Sequence, residues 1–330
     1  MRPAVALLSA ATVAAALLLT ATLVRALGDH ALDSYARPAT LVALRDGRTI
    51  NVRCTGSGTP TVILEAGFQA WSFAWDRVQP AVAKLTRVCS YDRAGLGLSP
   101  PAAGARDATT VARELSSALR AAHVGGPLVM VGHSAGGMVV RQFANLYPRR
   151  VVGMVLIDPS VEGQFDGAER AVAATVARYD DCAARAARGE LPSAQAPRCN
   201  PPERGNPGAF DRQVAALMAT PGYWTTLARE YDAIANANSV QLRAGRQDYG
   251  AMPLVVLTAG GKTPPEGDAV AAMAMWSGAH AAIAARSTKG VQTLISGSGH
   301  LMMNDKPEVV VGAIERVVMA VRGEGPATAL

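Results

Sequence analysis

The succession Leu128-Val129-Met130-Val131-Gly132-His133-Ser134-Ala135-Gly136-Gly137 leaves the backbone few choices: an apolar run stops at a serine set between glycines. The pattern predicts a buried strand, a very tight turn, and a helix that begins near Gly136 and runs through Met138, Val139, Val140, Phe143 and Leu146 to Pro148. In a G-x-S-x-G turn the glycines are required because strand and helix approach so closely that side chains would collide. The serine hydroxyl is thereby pushed out at the carboxyl end of a strand. The same turn aims the Ala135 amide N–H, at the positive end of the helix, toward the oxygen of any group that Ser134 attacks.

The flanking chain alternates strand and helix. Thr40-Leu44 and Thr49-Arg53, about Asp46-Gly47, predict an antiparallel hairpin. Buried strands are predicted at Thr61-Glu65, Arg87-Tyr91, Arg150-Ile157 (capped by Asp158), Met252-Thr258 and Val291-Ile295. Thr109 to Ala122 carries Val111, Leu115, Ala118 and Leu119 on one helical face. From Ser160 to about Gly250 the strand pattern lapses into helix, a Pro-rich loop from Pro192 to Pro207, and helix again through Trp224, Leu227, Tyr231 and Ile234. Strands alternating with helices imply a mostly parallel sheet covered on both faces.

From about Thr61 to Pro307 these features, in this order, resemble the α/β-hydrolase family. The resemblance implies an α/β fold: a mostly parallel eight-stranded sheet, helices on both faces, and an inserted helical lid. It divides the chain into an N-terminal segment (1–28), a first part of the core (29–159), the lid (160–250) and a second part of the core (251–330). Ala66-Gly67-Phe68-Gln69 falls where such hydrolases commonly carry His-Gly and an oxyanion-hole residue, with Ala66 in place of the histidine. The main-chain N–H of Phe68 is therefore the expected second oxyanion donor beside Ala135. Asp92-Arg93-Ala94-Gly95-Leu96-Gly97-Leu98-Ser99 resembles the family's D-R-x-G-x-G-x-S loop and is expected to shape and support the site. Trp71 and Trp75 read as packing or pocket wall.

A serine hydroxyl is a poor nucleophile at neutral pH and needs an adjacent base. Of five histidines, His30 falls in a linker, His123 ends a surface helix, His280 lies on a helix, and His133 is expected to point away from Ser134. His300 sits in Gly297-Ser298-Gly299-His300, late in the chain, where the Ser, acid, His order of this fold places the base. The acid departs from the common pattern, because Gly260, Gly261, Lys262 and Thr263 occupy the positions after the strand ending near Leu257. Asp158, at the end of the strand after the nucleophile strand, is where some members of the fold place theirs; Asp268 is the alternative. The resemblance implies acyl transfer on a small-molecule carboxylic ester through an acyl-enzyme on Ser134, with no cofactor and no metal. Another serine enzyme of the fold (a peptidase, an amidase or a cofactor-free haloperoxidase) and a non-catalytic binding protein on the same scaffold are the other readings. Dehalogenases and epoxide hydrolases of the fold carry an aspartate where this chain has Ser134.

With 330 residues, 49% of them hydrophobic, the chain can bury one large core. The formal net charge of +6 comes from dispersed arginines, and no Lys/Arg run interleaved with aromatics marks a nucleic-acid surface. Arg2, an uncharged run from Pro3 to Val24, and Arg25 predict an export signal or an uncleaved membrane anchor. An exported chain with four cysteines favours disulfides. Cys182 and Cys199 would close a loop of about 17 residues, stabilising by roughly 3 kcal/mol in the chain-entropy model. Because the strands carrying Cys54 and Cys89 are neighbours in the hydrolase fold, the resemblance favours 54–89 with 182–199 among three pairings.

Overall fold

In the computed structural model, which describes residues 32–202, 206–263 and 268–324, the strands are β1 (Thr40–Ala43), β2 (Thr49–Thr55), β3 (Thr61–Glu65), β4 (Val88–Tyr91), β5 (Leu128–His133), β6 (Val151–Ile157), β7 (Leu254–Ala259) and β8 (Gly290–Ile295). The side chain of Asp268 and the expected leader, residues 1–28, lie outside what is described. Helices longer than one turn are α1 (Ala108–Ala121), α2 (Ala135–Leu146), α3 (Glu169–Ala187), α4 (Ala209–Met218), α5 (Pro221–Ala235), α6 (Ala237–Ala244), α7 (Asp268–Ala284) and α8 (Pro307–Arg322). None is long and apolar enough, among the described residues, to cross a membrane.

The eight strands form one sheet in the order β1-β2-β4-β3-β5-β6-β7-β8. β1 and β2 form the predicted hairpin and β2 meets β4 antiparallel, while β4, β3, β5, β6, β7 and β8 run parallel. Gly47 takes the left-handed conformation (φ 83°) that the hairpin turn needs. Every residue of β3, β4, β5 and β7 is buried, as strands covered on both faces must be. Their alternation sorts the core into two layers. Met130, Leu156 and Val256 pack with α1 and α2 through Leu115, Leu119 and Phe143. Val131, Ile157 and Leu257 pack on the other side against Ile314 and Val318 of α8.

Two features carry this scaffold toward a site. The strand order reverses on either side of β3, and in open parallel sheets side chains with chemistry gather beyond the carboxyl ends near such a reversal. Between β6 and β7 the chain forms α3 to α6, which build a separate apolar cluster including Tyr179, Phe210, Trp224 and Leu227 together with Trp71 and Leu96 of the core. Both expected disulfides are present, Cys54–Cys89 joining paired positions of β2 and β4 and Cys182–Cys199 tying α3 to the loop after it.

Candidate active site

Ser134 stands between β5 and α2 with φ 52° and ψ −126°, a conformation that costs a residue with a Cβ about 1–3 kcal/mol and persists only where surrounding structure enforces it. The enforcement is visible atom by atom. A Cβ on Gly132 would lie 2.7 Å from the Gly136 carbonyl oxygen, and one on Gly136 would lie 2.6 Å from the carbonyl oxygens of both Glu65 and Ala66. The Ser134 N–H donates to Ile157 O (3.0 Å), and Ser134 O accepts from Gly137 and Ser160 N–H (2.9 and 3.0 Å). Ala135 is the first residue of α2, so its amide belongs to the positive helix end beside the serine.

Asp158 follows β6 at once and is itself held at φ 41°. Its Oδ2 accepts from His300 Nδ1 at 2.6 Å, and its Oδ1 from Ala259 N–H (3.1 Å) and Trp276 Nε1 (2.9 Å). Burial pulls the carboxyl pKa up, but the bonds from His300, Trp276 and Ala259 outweigh it and hold the pKa below its ordinary value. With Nδ1 donating, the neutral imidazole keeps its Nε2 lone pair free to accept a proton. The loop that carries His300 is braced, because Gly299 N–H donates to Asp305 Oδ2 (2.9 Å) and Lys262 pairs with Asp305 at 2.8 Å. Lys262 thus occupies the segment where an acid is common and serves the histidine loop from outside.

Ser134, His300, His133 and Phe68 line one cavity of about 560 Å³, closed on another side by Leu301 and Met303. A second cavity of about 550 Å³ abuts it, sharing Leu32 and Phe73, and lies among Trp71, Tyr179, Phe210 and Trp224. Phe68 separates core from helices: its ring sits 6.0 Å from that of Tyr179 and 5.5 Å from that of Tyr231. Gln69, at φ 63°, donates to the Tyr179 hydroxyl at 2.9 Å, so α3 is tied directly to the segment after β3. Among the described residues no group of three or more His, Cys, Asp or Glu side chains is placed to hold a metal ion.

His133 departs from expectation. Instead of turning away from Ser134 it lines the same cavity, its ring centroid 4.7 Å from that of His300, and its Nε2 donates to the His300 carbonyl oxygen at 2.9 Å. Burial, with His300 beside it, lowers its pKa to about 4, which keeps the ring neutral. His280 is structural, donating from Nε2 to Pro159 O (2.8 Å) and accepting at Nδ1 from Thr258 (2.9 Å). Asp92 braces loops, accepting from Asn51, Ser72 and Leu98 at 2.9–3.1 Å.

The family model that describes the alpha/beta hydrolase family matches residues 56–313. The chain belongs to that family. It is 25% identical over 259 residues to the uncharacterized protein YqjL of Bacillus subtilis, covering 78% of this chain and 83% of that one. Among solved structures it resembles a thermophilic esterase from Thermogutta terrifontis (TM-score 0.60, 19% identity, 86% of this chain and 98% of that one). It also resembles the epoxide hydrolase CorEH (TM-score 0.62, 17% identity, 85% and 98%). At such identities the two structures speak for the fold alone, and the chain is classed as a hydrolase by its family.

Within this alpha/beta hydrolase, Ser134, His300 and Asp158, picked out in the sequence, come together, while the side chain of Asp268 lies outside the described residues. Sequence reasoning passed over Trp276, whose indole N–H serves Asp158 from within an apolar helix, and over Glu230 of α5, which reaches Arg93. A carboxylate inside the apolar stretch Trp224 to Ile234 was the available signal for the second. Nothing local marked the first.

Proposed function

We propose that this hydrolase cleaves carboxylic esters through an acyl-enzyme on Ser134. Ser134 Oγ attacks the ester carbonyl as His300 Nε2 takes its proton; the tetrahedral intermediate collapses and the same proton passes to the departing alkoxide. Water then attacks the acyl-enzyme with His300 again as base, releasing the acid and restoring the serine. Asp158 keeps the imidazole in the Nδ1–H tautomer and stabilises the imidazolium. The amide N–H groups of Phe68 and Ala135 receive the oxyanion, where loss of one donor typically costs about 3–4 kcal/mol.

The observation that carries this reading is the 2.6 Å bond from His300 Nδ1 to Asp158, beside a serine forced into a positive-φ turn and opening into the same cavity. A serine at that position speaks against the aspartate-based chemistry of epoxide hydrolases. The helices between β6 and β7 act as a lid, and the aromatic second cavity beneath them suits the bulkier apolar part of the ester. Two disulfides, with the apolar segment at residues 3–24, support export to an extracytoplasmic compartment, either secreted or held at the membrane by that segment.

The test is an ester panel of graded acyl length run beside labelling by a fluorophosphonate. Wild-type protein should hydrolyse part of the panel and be labelled at one site, whereas Ser134→Ala should be folded, unlabelled and inactive. Labelling that survives in Ser134→Ala would remove the serine from its role.

A further inference from the structure

Arg93 is buried, and each of its five N–H donors has an acceptor. Nη1 donates to Glu65 Oε1 (2.8 Å) and Ala66 O (2.7 Å); Nη2 donates to Gly67 O (2.8 Å) and Glu230 Oε2 (3.1 Å); Nε donates to Glu230 Oε1 (2.9 Å). The Glu230 carboxylate therefore meets the guanidinium edge-on with two bonds, and Glu65 is held from its far side by the Tyr91 hydroxyl. A planar fork with five fixed directions can satisfy this set, and a lysine ammonium with three donors cannot.

The acceptors decide what such a cluster can do. Gly67 O and Phe68 N–H belong to one planar peptide group, so fixing the carbonyl oxygen fixes the direction of the N–H on its opposite side. A full positive charge on that carbonyl also draws electron density from the amide and makes its N–H a stronger donor. We infer that Arg93 is a positioning residue for the oxyanion hole, aiming and polarising the Gly67–Phe68 peptide, and that Glu230 couples this peptide to helix α5.

The coupling has a second strand of evidence in the next residue of α5. Tyr231 packs on the Phe68 ring at 5.5 Å while Glu230 holds Arg93, which donates to the carbonyl oxygen of the Gly67–Phe68 peptide, so adjacent residues of one helix reach Phe68 through its ring and through its backbone. A shift of α5 cannot occur without moving either the guanidinium or the ring. The lid helix is thus built into the geometry of the hole as well as into the wall of the pocket.

This inference rests on the serine-hydrolase reading, and the experiment separates the two. Arg93→Lys and Glu230→Gln, the latter nearly isosteric in case the former fails to fold, are compared with wild type for kcat, KM and affinity for an alkyl boronic acid, which forms a tetrahedral adduct with the serine. With folding checked by thermal melts, Arg93→Lys should lose about 100-fold in kcat, the size of effect expected for a misplaced reacting geometry, with KM within about twofold. Boronate affinity should fall in parallel with kcat, and Glu230→Gln should show the same pattern at about 10-fold. A folded variant of either kind with wild-type kcat, or one in which KM changes while boronate affinity holds, would overturn the inference. Wild-type protein that takes neither fluorophosphonate nor boronate would overturn the serine reading itself, and this inference with it.

Discussion

Both oxygens of Asp158 are occupied, one by His300 and the other by Trp276 and Ala259, so an amide in its place cannot satisfy all three donors. Asp158→Asn should therefore keep the fold, present the wrong tautomer of His300 to Ser134, and lower kcat by about 10⁴-fold with little change in KM. Asp268→Asn should be close to normal in the same steady-state assay, and the reverse pair of results would transfer the acid role to Asp268. His133 supplies a prediction about stability. Its folded pKa of about 4 lies below the ordinary 6.5, so between these values the unfolded chain takes up a proton that the folded chain refuses. The corresponding stability is fully present above about pH 6.5 and is lost as pH falls toward 4, amounting to about 3 kcal/mol. Denaturant melts from pH 7 to 4 should show a steeper decline for wild type than for His133→Gln, which retains a donor but does not titrate; parallel declines would disprove the assignment.

Elements were legible in proportion to how local their causes are. The turn at Ser134 declares itself through Gly132, whose missing Cβ answers to Gly136 four residues on, whereas Gly136 answers to Glu65 and Ala66 at the end of the neighbouring strand β3. The hairpin at Gly47 and the buried runs of β3, β5 and β6 are similarly self-contained, and their limits fall within a residue or two of those expected from apolar runs; β7 begins at Leu254 rather than Met252. Asp158 was readable only as one of two carboxylates, since its bond to a histidine 142 residues away follows from the parallel order β6-β7-β8, which sets the end of β6 near the loop after β8. The placing of His133 was only half readable: as the last residue of β5 it shares the face of Val129 and Val131, but the His300 carbonyl that holds its ring lies 167 residues away. The helical insertion α3 to α6 is the extreme case: its helical character shows in the sequence, but the placing of Tyr179 and Tyr231 over Phe68 depends on packing between α3 and α5 that no local pattern encodes.

Taken as one body, the molecule is stapled once in the sheet and once in the helical insertion between β6 and β7, and the staples should fail differently. Cys54–Cys89 joins β2 to β4 inside the sheet across a separation of 35 residues, and Cys182–Cys199 closes a separation of 17 within the lid. Loop-closure entropy assigns them about 4 and about 3 kcal/mol, similar enough that location rather than size should govern the outcome. The sheet carries the site's strands and both core layers, so Cys54→Ser with Cys89→Ser should lower the main calorimetric transition and slow fluorophosphonate labelling only through the unfolded fraction. Cys182→Ser with Cys199→Ser should leave that transition nearly in place, expose α3 and α5 to proteolysis and, on the proposed ester hydrolysis, raise KM for esters of longer acyl chain. Equal shifts of the main transition in both pairs would show that lid and sheet unfold as one unit. The compartment is tested on the same peptides: protein recovered from outside the cytoplasm without reductant should yield both linked pairs. Four free thiols in that material would contradict export, because an oxidising compartment closes cysteines already held at bonding distance.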